Sequence, residues 1–183
     1  MSARKKMTFP ERWVWIDLEM TGLDENNCAI LQIAMIITDP SLNEITSTDL
    51  VIWQPESVLS EMIPFVRDMH TQNGLLKRVR SSTVSLAQAE AELMETLTHH
   101  VAYQRGILAG NSIYVDRKFL QKYMPAIEHH LHYRQIDVSS VKILCQEWYK
   151  QQSPKKPSSH TALEDIRQSI EELRYFKTHC FKD

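Results

Sequence analysis

The 183-residue chain has few cysteines, no excess of either charge and no long apolar run, and each shortage closes off a class of protein. Cys28, Cys145 and Cys180 are odd in number and lack CxxC spacing, which argues against a disulfide framework and a structural zinc site. They suit a reducing cytoplasm. Lys plus Arg comes to 21 and Asp plus Glu to 23, a formal net charge of −2, so no global cationic field draws in long polyanions. Any nucleic-acid site must be local. No stretch approaches the roughly 18–20 apolar residues of a membrane span. Arg4, Lys5 and Lys6 lie near the start, but no apolar segment follows them as in a secretory signal. Residues 1–11 are expected to be a mobile leader. Internal repeats and domain linkers are also missing, so residues 12–183 read as one domain, and 43% hydrophobic content is enough for a sizeable core.

Two apolar, partly β-branched runs, Trp13 to Met20 and Ala29 to Thr38, flank the turn-rich TGLDENN and read as a strand hairpin. Ile45 to Trp53 adds a third strand, ended by Gln54 and Pro55 because proline cannot donate to a central ladder. Ser60 to Arg80 has no clear period. Leu86, Ala89, Leu93, Leu97 and Val101 recur at three- and four-residue spacing and predict an amphipathic helix over Ser85 to Tyr103. A short strand at Gly106 to Ala109 leads through Gly110, Asn111 and Ser112 into a helix from Asp116 to Met124, stopped before Pro125. A strand at Gln135 to Val138 and a helix from Ser139 to Lys150 follow. Then comes the polar loop QQSPKKPSS, expected to move, and a last helix from Thr161 to His179. Strands first, then alternating helix and strand, make an α/β domain: a mixed sheet that opens with an antiparallel hairpin of three strands and is flanked by helices.

Chemistry starts in the first strand. Asp17 and Glu19 are two positions apart, so both carboxylates leave the same face beside apolar Trp15, Ile16 and Leu18. Like charges pressed together next to buried neighbours raise each other's pKa unless a cation lies between them. Taken alone, the pair is as readily a solvent-facing strand edge. Asp116 follows the Gly-Asn-Ser turn, and Asp165 lies in the first turns of the last helix, where an Asp commonly just favours the helix dipole. His160, in a polar loop, is by itself an ordinary solvated histidine with a pKa suited to proton transfer.

Four acids and a histidine in this order resemble the DEDDh exonuclease superfamily. WVWIDLEMTGLD carries Asp17 and Glu19, GNSIYVDRKFL carries Asp116, and HTALED carries His160 and Asp165 five residues apart. Within that superfamily the chain is similar to the oligoribonuclease family, through IDLEMTGLD, HYRQIDVSS and SHTALEDIRQSIEEL, from Arg12 to the C-terminus. GNSIYVD departs from the family, whose members have Gly-Gln before the Asp.

The resemblance implies an RNase H-like fold and 3′-to-5′ hydrolysis of short single-stranded RNA, especially dinucleotides, with two divalent cations, Mg²⁺ or Mn²⁺. Asp17 would bridge the ions, Glu19 and Asp165 would complete one shell, and Asp116 would support the other through water. His160 would take a proton from the attacking water. For substrate binding it implies that Leu23 wedges between bases and Phe65 stacks where the family has Trp. Ser112, His70 and Arg134 would hold the 5′ phosphate, with Tyr133 reaching over from the partner of a homodimer. Two alternatives remain: a DNA-proofreading or tRNA-trimming relative should lack the HYR segment and carry basic surface, and a non-enzymatic module should have lost one of the five residues.

Overall fold

The computed structural model describes residues 11–154 and 161–181. Five strands form one mixed sheet: β1 (Arg12–Met20), β2 (Ile30–Thr38), β3 (Glu44–Val51), β4 (Gly106–Gly110) and β5 (Gln135–Asp137), in the order β3-β2-β1-β4-β5. β1 pairs antiparallel with β2, and β2 with β3, whereas β1–β4 and β4–β5 are parallel. The expected opening hairpin of three strands is therefore present. Helices α1 (Glu56–Leu59), α2 (Pro64–Gln72), α3 (Leu75–Ser81) and α4 (Leu86–His100) lie between β3 and β4. Beyond β4 come α5 (Tyr114–Tyr123), α6 (Pro125–His130), α7 (Val138–Tyr149) and α8 (Ala162–Cys180).

β2 is buried at all nine positions, because helices cover both sheet faces and β1 and β3 flank it. Its two polar exceptions are satisfied. Gln32 Nε2 donates to Asp49 Oδ1, and Thr38 Oγ1 accepts from Trp15 Nε1 at 3.0 Å. Strand alternation divides the core. Val14, Ile16 and Leu18 pack with Leu93 and Leu97 of α4 and Phe119 and Leu120 of α5 on one face. Trp15, Ala34 and Ile36 pack with Ile166, Ile170 and Leu173 of α8 on the other.

The irregular stretch after β3 resolves into three short helices. Pro64 starts α2, and Gly74, with φ at 78°, ends its register before α3. Pro125 likewise opens α6 instead of only ending α5, since the first helical position needs no N–H donor. The expectations for residues 1–10, for His160 and for the end of the polar loop lie outside the described residues.

Candidate active site

Along β1 the side chains of Trp15, Asp17 and Glu19 alternate onto the α8 face. Trp15 meets the apolar stripe of α8. The two acids continue its row beyond that stripe and meet Asp165, which lies in the first turn of α8. Carboxylate oxygens of Asp17, Glu19 and Asp165 all lie within 4.8 Å of one another, with each residue partly buried.

Asp116 approaches from a different element. β1 pairs with β4 only from Arg12 to Trp15, so the two strands part where the acids begin. Gly110 ends β4 in close contact with β1, since a Cβ there would sit 3.1 Å from Ile16 O and 2.8 Å from Ile113 Cδ1. The chain then turns into α5, and Asp116 Oδ1 accepts from Leu18 N at 3.0 Å. A crevice beyond the carboxyl ends of parallel strands is where open α/β sheets place their ligands.

The electrostatics call for a cation. Glu19 is pushed up to about 7, first by burial and then by the negative charges of Asp165 and Asp116. Asp116 is also raised to about 7, mainly by burial, although Leu18 N and its own backbone pull it down. Carboxyl groups from β1, α5 and α8 thus gather at one place, where Asp165 and Asp116 both act on Glu19 and every candidate donor is an oxygen. That donor set fits Mg²⁺ or Mn²⁺, which prefer oxygen ligands.

The substrate-binding candidates fall into separate places. Leu23 and Phe65 are 73% and 75% exposed, within the 21–29 turn and at the start of α2. The turn is pinned by Thr21 N to Ala29 O (2.9 Å), Ala29 N to Thr21 Oγ1 (2.9 Å) and the Tyr123 hydroxyl to Cys28 O (2.8 Å). His70, by contrast, is fully buried. Its Nε2 donates to Met20 O at 2.9 Å, leaving Nδ1 3.9 Å from Glu19 Oε2. Burial lowers its pKa, so that second nitrogen is an acceptor in the neutral ring. Tyr133, 74% exposed, stacks on His132 at 4.5 Å, and the Arg134 guanidinium lies over its ring at 5.4 Å. Arg117, next to Asp116, positions this segment. It grips Glu128 Oε1 (2.9 and 3.1 Å) and donates to the carbonyls of His132 and Tyr133, both at 3.0 Å.

Ser112 stands at the crevice in the left-handed region, φ 50°. Its N–H donates to Asp137 Oδ1 (3.1 Å) and Ser139 Oγ (3.0 Å), and Asp137 also caps α7 by accepting from Ser139 N at 2.9 Å. The sequence reading missed Asp137, Ser139 and the neighbouring Asn111. The D-x-S pattern in HYRQIDVSS is a helix N-cap signature and could have located the first two.

This sheet order and acid group define the exonuclease class, and a family model described as an exonuclease matches residues 14–173. Exonuclease I from Methylocaldum szegediense superposes with a TM-score of 0.73 at 18% identity, over 92% of this chain. Exonuclease I from E. coli in complex with a dT13 oligonucleotide gives 0.73 at 18% over 93%. This chain spans 41% of each of those proteins, and the likeness concerns the fold. The sequence relatives are more specific. The chain is 44% identical to human mitochondrial oligoribonuclease over 186 residues, covering all of this chain and 78% of that protein. It is 45% identical to the oligoribonuclease of Francisella tularensis subsp. tularensis (strain WY96-3418) over 172 residues, 93% of this chain and 97% of that one. The chain belongs to the oligoribonuclease family, and it is a hydrolytic 3′-to-5′ exoribonuclease.

Proposed function

We propose that this exoribonuclease acts on RNA a few nucleotides long, fastest on 5′-phosphorylated dinucleotides, and releases mononucleoside 5′-phosphates with the aid of two divalent cations, Mg²⁺ or Mn²⁺. The observation that carries this reading is the trio Asp17, Glu19 and Asp165, converging within 4.8 Å while Glu19 is held up near neutrality. Two such ions stabilise the charge that develops on the attacking and leaving oxygens of a phosphodiester. Asp17, Glu19 and Asp165 would hold these ions, with Asp17 as the shared ligand, and Asp116 would support the second. His160 is assigned as the base that removes the proton of the attacking water.

Leu23 and Phe65 offer exposed apolar faces to the bases, in keeping with stacking and wedging roles. Ser112 and Arg134 are assigned to the 5′ phosphate, and the planar guanidinium suits paired phosphate oxygens. His70 joins them only as its imidazolium, because its Nε2 is already committed to Met20 O. Tyr133, exposed next to Arg134, is assigned to the site of a second copy in a homodimer. Free Cys28, Cys145 and Cys180 suit a reducing cytoplasm, and no helix among the described residues is long and apolar enough to cross a membrane.

The test is cleavage of end-labelled RNAs of two to ten nucleotides, with and without Mg²⁺ or Mn²⁺. Metal-dependent mononucleotide release that is fastest on the dimer supports the reading. Equal rates on dimers and decamers overturn the length preference, and metal-independent rates overturn the cation assignment.

A further inference from the structure

Behind the crevice lies a polar network that the assigned roles do not use, centred on Asn111. The residue follows β4 directly, and both ends of its amide are engaged. Nδ2 donates to Ser169 Oγ at 2.7 Å and to Glu172 Oε2 at 3.3 Å, while Oδ1 accepts from Ser139 Oγ at 3.1 Å. Glu172 fixes the amide's orientation. It is 1% exposed and its carboxylate can only accept, so the NH₂ must face it. Its other oxygen lies 3.3 Å from Lys142 Nζ on α7.

The two ends of the amide lead to different functional groups. Ser169 passes its own hydroxyl proton one turn back along α8, to the backbone oxygen of Asp165 at 2.8 Å. Ser139 Oγ accepts from Ser112 N at 3.0 Å, where the backbone is held in its left-handed conformation. The Asn111 amide supplies a donor toward α8 and an acceptor toward α7 at once; a carboxylate cannot donate, and an aliphatic group can do neither.

We infer that Asn111 is a positioning residue that fixes the Asp165 turn of α8 against the Ser112 turn, so that metal holding and phosphate holding depend on a single amide. The inference rests on the roles proposed above for Asp165 and Ser112. Groups one step removed from metal ligands commonly govern affinity by orienting them.

Four variants separate this role from simple structural support, read by Mn²⁺ calorimetry, thermal melting and dinucleotide kinetics. Asn111→Asp keeps the acceptor for Ser139 but sets a carboxylate against Glu172 and removes the donor to Ser169. It should lower the Tm and weaken Mn²⁺ binding about tenfold, the low end of such orienting effects. Combining Asn111→Asp with Glu172→Gln relieves the like-charge contact, because Gln Nε2 can donate to the new carboxylate. The Tm should then recover while Mn²⁺ affinity stays low, since nothing at position 111 donates to Ser169. Ser169→Ala cuts the same link and should weaken Mn²⁺ binding with little change in Tm. Asn111→Ala, which cuts both arms, should also raise KM for a 5′-phosphorylated dinucleotide at saturating metal.

Mn²⁺ affinity that recovers together with the Tm, or that never falls in Ser169→Ala, overturns the inference. A chain that binds Mn²⁺ but cleaves no dinucleotide would defeat the proposed function instead, and the Mn²⁺ measurements would still decide the role of Asn111. If the Asn111 variants do not fold, Ser169→Ala is the deciding protein.

Discussion

Glu19 and Asp116 make the pH dependence of metal binding calculable. Each has a folded pKa of about 7, against ordinary values of 4.5 and 3.8, so the folded chain keeps protons that the unfolded chain has released. Their contribution to stability without metal is therefore full below the unfolded values and is lost as pH rises through 7. Raising Glu19 from 4.5 to about 7 corresponds to about 3 kcal/mol. Asp116 adds a comparable amount, and because its charge acts on Glu19, the total belongs to the pair. A divalent ion binds the ionised carboxylates. At pH 6, where a group of pKa about 7 is ~90% protonated, binding should expel nearly two protons, falling to about 0.2 at pH 8. Affinity should accordingly rise roughly a hundredfold between pH 6 and pH 8, then level off. Calorimetry in two buffers of different ionisation enthalpy counts the protons directly. Melting of the metal-free chain from pH 5 to 8 provides the second check, with Glu19→Gln, neutral throughout, expected to flatten the decline. Binding at pH 6 without proton uptake by the buffer would refute the reasoning, as would a metal-free Tm in the wild type that falls no more than in Glu19→Gln.

Other consequences are simpler to measure. Asp17→Asn keeps the side-chain volume but removes a charged ligand, so turnover should vanish while the melting curve of the folded chain persists; an unchanged rate would discard the ligand assignment. His160→Ala should slow single-turnover cleavage by roughly 10²–10⁴-fold with little change in metal affinity, and a collapse of metal binding would make His160 a ligand instead. In a mixed dimer, a Tyr133→Ala subunit paired with an Asp17→Asn subunit should retain one working site if Tyr133 acts across the interface, and none if it acts within its own chain. Arg134→Ala should erase the advantage of 5′-phosphorylated dinucleotides over pentamers, a loss of about ten- to a hundredfold for a charge-assisted phosphate contact of 1.5–3 kcal/mol.

The sheet was legible in the sequence because strand and helix periods are short-range, whereas the full acid group was reached only through the resemblance carried by its motifs. Asp17 and Glu19 share a face by strand alternation, and Leu86 through Val101 mark α4 by helical spacing. Phe65 and His70, given different substrate roles by the resemblance, differ in a way no short-range pattern announced. They lie five residues apart on α2, about 140° around the helix axis. One is therefore exposed and the other fully buried. The Asn111 network was invisible for another reason. Its partners Ser139, Ser169 and Glu172 are 28, 58 and 61 positions away, each a single polar residue in its own segment with no period to betray it.

The same charge pattern bears on the proposed preference for a short substrate. A chain of net charge −2 that gathers four carboxyl groups at one crevice repels a polyanion until cations neutralise the cluster. Nearby basic side chains do little to offset this, since Arg117 is bound to Glu128 and Lys142 to Glu172. Arg134 differs, because it is exposed with its guanidinium against the Tyr133 ring. On the proposed assignments, attraction among the described residues would fall at the two ends of a small substrate, metal at the scissile phosphate and Arg134 at the 5′ phosphate. Each further nucleotide would then add a phosphate that meets no third cation among the described residues and forfeits the second, so the proposed selectivity for length would follow from where positive charge is missing as much as from where it is placed.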